Sequence, residues 1–136
     1  IVEGVLAETG YHTYYSMFKN NGIMPGNLEG ITKLKQDESR HIAYGIFLIS
    51  RLVAEHPELW EIAQAQMNSL LMPAIGVINE AFDAYDPIPF GLKIDDFVTF
   101  AMMQFQKRMA RIEQAKGASL DDVYRVTQQA IDDNNV

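Results

Sequence analysis

The chain has 136 residues, 48% hydrophobic and 21% charged, which suits one packed globular domain and argues against a disordered chain. Its 11 Lys and Arg against 18 Asp and Glu give a net charge of -7, and no basic stripe runs beside the aromatics, so nucleic acid is not an expected partner. The absence of cysteine removes disulfides, thiolate metal sites and thiol nucleophiles, fits a reducing cytoplasmic setting, and leaves carboxylate and imidazole as metal ligands.

From Ile1 the chain enters at once an apolar-periodic run, "IVEGVLAETGYHTYYSMF", without a Met, a cap residue or a leader before it. This reads as the middle of an element. The expectation is that residues 1–136 form a single partial domain, the C-terminal part of a longer protein. The first helix is predicted from Ile1 to about Asn20, stopped by the Asn, Gly and Pro residues of "NNGIMPGN". A second helix is predicted from about Leu28 to His56, ended by Pro57, because the residue before a proline is pushed out of the helical region. Its length of roughly 40 Å is typical of a helical bundle.

The third helix is predicted from Pro57 or Glu58 to about Ala84, kinked at Pro73. "YDPIPFGLK" reads as a loop, and "DDFVTFAMMQFQKRMARIEQAK" as a fourth helix ending at Gly117. Ser119 with Asp122 three residues on predicts an N-cap box for a last helix, Leu120 to about Asp132. No strand and no repeat at a solenoid period is evident. No apolar run reaches the roughly 18 residues of a membrane span. The fold class expected is all-α.

The chemistry is concentrated in "DESRHIAYG" of the second helix. At about 100° per residue, Ile31, Leu34, Glu38, His41, Ile42, Gly45 and Ile49 fall on one stripe. A carboxylate in a buried apolar stripe costs several kcal/mol (about 3 to 5) unless paired or bound to a cation. Glu38 and His41, one turn apart, suit two ligands to the same or adjacent metal ions, the Glu-x-x-His pattern of di-metal carboxylate bundles. A helical surface pair is the alternative. On the first helix Glu3 shares a face with Ala7, Gly10 and Tyr14. If the two helices pack antiparallel across the short turn, Glu3 and Glu38 converge.

These stretches, "VEGVLAETGY" and "DESRHIAYG" with the interval between their glutamates, closely resemble the second half of the ribonucleotide reductase small-subunit-like ligand-binding oxidases of the ferritin-like superfamily. The resemblance implies a four-helix core holding a mixed manganese and iron centre, or two iron ions, on four carboxylates and two histidines. It also implies a bound long-chain fatty acid, a homodimer of the complete protein, and dioxygen-driven two-electron oxidation that links a tyrosine to a valine of the protein. Glu3 is then the carboxylate of the third core helix, and Glu38 and His41 are the ligands of the fourth. The remaining Glu, the second Glu-x-x-His and both cross-link partners would precede residue 1, on a complementary N-terminal segment or chain. In related reductase subunits an Asp at the place of Asp37 accepts the ring N–H of a metal-bound histidine from an earlier helix. The alternative for Asp37 is a surface residue offset by Lys33 or Arg40.

Three other groups are assigned no chemistry. His12 lies about half a turn from Glu3 and is expected at the surface or an interface. Glu8 is expected to face solvent or a neighbouring subunit, and His56 to end the second helix. The stripe of Phe97, Met102, Met103, Phe105 and Met109, with Met67 and Met72, is expected to be core, a lipid channel being the alternative. Two other functions compete with the oxidase. One is a true reductase small subunit, which the ending "QQAIDDNNV" argues against because it lacks an aromatic docking tail. The other is a non-enzymatic metal-binding helical module.

Overall fold

The first turn of the first helix is wider than an α-helical one. In the computed structural model, which describes residues 1–132, Val2–Ala7 form a π-helical turn. Leu6 N–H donates to Ile1 C=O across 3.2 Å, and Glu8 N–H donates to Glu3 C=O. The rest of "QQAIDDNNV", residues 133–136, lies outside the described residues. After the π turn the chain continues as α1, Glu8–Asn21, closed by Gly22 at φ 63°, whose left-handed conformation lets the last carbonyls of the helix find donors.

Helix α2 spans Pro25–Glu55 and so begins three residues before the expected Leu28. The "MPGN" stretch reads as a turn because of its Pro and Gly. Pro25, however, occupies the first helical positions, where its fixed φ suits the helix and its missing N–H costs nothing. Helix α3, Leu59–Asp83, runs uninterrupted through Pro73. The expected loop contains a short 3-10 turn, Pro89–Gly91. Helix α4 is Ile94–Glu113 and α5 is Leu120–Asp132. The fold is all-α: the described residues contain no strand, and none of their helices is long and apolar enough to cross a membrane.

Two apolar cores hold the helices together. The first joins the π turn to α3 and α4 through Val5, Ile78, Phe82, Phe97 and Phe105. Here the rings of Phe82 and Phe97 stack with centroids 5.2 Å apart, an arrangement worth about 1 kcal/mol beyond the area it buries. The second joins the end of α2 to α3, α4 and α5 through Val53, Trp60, Ile112, Ala115 and Val123. Met109 of α4 packs against both. The methionine stripe is core only in part: Met67 and Met109 pack against it, whereas Met72 and Met103 are exposed.

Of the two places expected for His12, surface or interface, the ring takes an interface between helices. Its ring stacks on Phe100 of α4 at 4.1 Å and meets Phe97 edge-on at 5.9 Å. Burial, followed by the charge of Lys35, holds its pKa below the ordinary histidine value. His56 follows the last residue of α2, exposed and 3.8 Å from Glu58.

The cap of α5 forms as its sequence predicts: Asp122 N–H donates to Ser119 Oγ at 3.1 Å, and Ser119 Oγ–H donates to Asp122 Oδ2 at 2.7 Å. The hydrogen bond from Ser119, then that from Arg125, holds the Asp122 carboxyl below the usual aspartate value. Ser119→Ala is expected to cost about 1 kcal/mol of stability by denaturant unfolding. Because the carboxyl of Asp122 titrates lower when folded, its contribution is present at neutral pH and lost as pH falls through the folded value. The gap between Ser119→Ala and the parent therefore narrows in acid.

Candidate metal centre

The π turn decides where Glu3 points. A turn closed by hydrogen bonds to the fifth residue holds one residue more than an α-helical turn. Everything after it is therefore displaced by one position from the register that a uniform 100° per residue gives. The residues stacked over Glu3 become Glu8 and Tyr11 in place of Ala7 and Gly10. The side chains follow this register: Tyr11 reaches Glu38, while Tyr14 is exposed. The face of Glu3, Ala7, Gly10 and Tyr14 read from the sequence is corrected accordingly.

Glu3, Glu38 and His41 each bring one ligand atom to a common place, all within 4.8 Å of one another. This is the one such group of three among the described residues. Two elements are needed to build it, the π turn and the middle of α2. The antiparallel pairing of α1 and α2 across the Gly22 turn brings them together.

The apolar stripe of α2 is not buried throughout. Ile42 is buried, but Leu34, His41 and Gly45 are exposed. The side chain of His41 is 64% exposed and that of Glu38 22%, because no described element covers this side of α2. Within the cluster Glu38 is the constrained member. Its Oε2 is buried without a hydrogen-bond partner, and His41 Nδ1 stands 3.5 Å away without making one. A buried carboxylate oxygen left in this way costs about 1 to 3 kcal/mol, and a cation placed between the three side chains removes that cost.

Tyr11 and Glu8 were not expected here. The Tyr11 hydroxyl lies close to the Glu38 carboxylate, and burial, then the charges of Glu38 and Glu8, push its pKa up. Glu8 is half-buried and lines an open cavity of about 460 Å³ with Lys35, Gln104 and Lys107. Both follow from the displaced register, for which the run "VEGVLAE" carries no local signal. Asp37 is 74% exposed with Arg40 Nη1 at 3.8 Å, the contact expected of a surface pair. A second cavity, of about 300 Å³, opens beside the cluster and is lined by Glu3, Gly4, His41, Ile42, Met67 and Arg108.

No protein-family model matches the chain. The class of protein that fold and site define is thus a helical bundle with a carboxylate and imidazole cluster between two of its helices.

Tyr11→Phe removes the hydroxyl that lies close to the Glu38 carboxylate while leaving Glu3, Glu38 and His41 in place. Metal affinity, measured by competition with a chromogenic chelator, is expected to fall about 10-fold, the lower end of what loss of a ligand's hydrogen-bond partner costs. An unchanged affinity would show that Tyr11 does not position Glu38.

Proposed function

We propose that this chain is part of a dioxygen-activating di-metal carboxylate oxidoreductase. Glu3, Glu38 and His41 hold manganese and iron, or two irons, and a long-chain fatty acid binds nearby. The observation that carries the reading is the convergence of Glu3 with Glu38 and His41 from separate elements. The orphaned Oε2 of Glu38 adds to it. The donors fit: carboxylate oxygen and imidazole nitrogen accept both manganese and iron.

When bound, the metals supply Lewis acidity and the electrons that reduce dioxygen. The chain's own residues do the rest. Glu3 and Glu38 bring negative charge to offset that of the cations, and His41 adds a neutral ligand one turn further along α2. The Tyr11 hydroxyl stands beside the Glu38 carboxylate, placed to donate to it. Three side chains are half of the usual six-ligand set of such bundles, so a further Glu and a Glu-x-x-His come from a complementary segment or chain. Apolar surface beside the cluster supports such a cover. Val2, which lines the same cavity as Glu3, is 71% exposed, and Leu34, one turn before Glu38, is 50% exposed. In this reading Asp37 accepts a ring N–H from a histidine of the covering segment.

Glu38→Ala is expected to abolish loading of at least one metal per site, read by elemental analysis of the purified protein. Full stoichiometry in that variant would remove Glu38 from the ligand set. Asp37→Asn serves as the graded control, with metal retention lowered about 10 to 100-fold. If both retention and dioxygen uptake stay unchanged, Asp37 does no more than meet Arg40.

A further inference from the structure

Arg108 of α4 is 4% exposed, and its guanidinium is only partly satisfied. One terminal nitrogen, Nη1, donates to Gln104 Oε1. The other two, Nε and Nη2, are buried without any hydrogen-bond partner. These two N–H groups lie on the same edge of the planar guanidinium, the edge that pairs side-on with both oxygens of a carboxylate.

The surroundings leave that edge a use. Arg108 lines the cavity of about 300 Å³ beside Glu3 and Met67. Nε lies 3.3 Å from where a Cβ on Gly4 would stand, so a residue larger than glycine would crowd the edge. Around the corner, Arg108 lines an adjoining cleft with Lys107 and Arg111, a local positive field in a chain of net charge -7. Glu3 at the cavity and Glu8 near the guanidinium have the opposite sign, so it is the fork, more than the general field, that selects an anion. Burial pushes the Arg108 pKa down and Glu8 pulls it up, but an arginine remains charged. A charged fork buried without acceptors is unstable by the cost of its desolvation.

We propose that the Nε–Nη2 edge of Arg108 is a binding site for a small monocarboxylate, held side-on by two parallel N–H···O bonds. Chloride lacks the pair of oxygens that the fork matches; phosphate has such a pair, but its larger size and second charge suit a buried edge close to Glu3 and Glu8 less well. Both nitrogens have almost no exposed surface, so the carboxylate reaches them as lining side chains move aside. The site shares its cavity with Glu3 and His41, but its donors are those of Arg108 alone and do not depend on a metal being bound.

The test is nuclear magnetic resonance of arginine Nε–H groups in the protein as purified, dialysed free of metal. Acetate, benzoate, inorganic phosphate and chloride are added in turn at constant ionic strength. The expected result is a saturable shift of the Arg108 Nε–H with acetate and benzoate, and none with chloride. Arg108→Lys abolishes the shift with its donor edge, so the variants are read by calorimetry, where benzoate binding weakens about 10-fold. Gly4→Ala gives a second arm should Arg108→Lys fail to fold. It keeps the charge, favours the helix, and is expected to weaken benzoate binding by a similar factor through crowding of Nε. No saturable shift with either carboxylate would overturn the proposal, as would phosphate binding as tightly as benzoate. An Nε–H already shifted in the free protein and released by Glu8→Gln would also overturn it, because the acceptor would then be internal.

Discussion

The hydrogen bond from Glu8 N–H to Glu3 C=O, spanning five residues where an α-helix spans four, sets the rest of the site. That one added residue turns Tyr11 toward Glu38 and places Glu8 beside the cavity that Lys107 also lines. Val5 is fully buried within the same turn, so the widened backbone is fixed by the core beneath it. Single π turns occur frequently at functional sites. Here the turn carries one of the three converging side chains and brings the Tyr11 hydroxyl close to a second.

Much of the fold was legible because helix signals are local. Pro57, Gly117 and the pair Ser119 and Asp122 mark ends through conformational limits and hydrogen bonds that reach only a few residues, and those ends lie within a few residues of where they were read. Pro25 misled because one residue type both closes a turn and opens a helix. The pairing of Glu3 with Glu38 and His41 was also legible, since a short turn between two long helices leaves few arrangements. The positions of Tyr11, Glu8 and His12 were not. Periodicity assumes a uniform twist, and a single π turn changes the phase of everything after it with no change in composition. The stacking of His12 on Phe100 depends on α4, far along the chain, and nothing near His12 encodes it.

Glu38 and Arg108 present the same imbalance with opposite sign. Each has buried hydrogen-bonding atoms left without a partner, an acceptor in one case and two donors in the other. They do not cancel, because they have different surroundings: Gly4 lies against Arg108, while Tyr11 and His41 stand beside Glu38. Apolar burial in the two cores stabilises the helices that hold these groups. A folded chain thus keeps polar atoms in positions that an isolated helix would release to water.

The two cores share α4 and meet at Met109. Glu3 is carried by the turn that anchors the first core through Val5. Glu38 and His41 ride on the helix whose later residues, up to Val53, anchor the second. The spacing of the ligand atoms is therefore a gauge of how one core sits against the other, and the helix pair works as a calliper whose jaws are the two carboxylates. Whatever grips both jaws ties the cores into one cooperative melting unit.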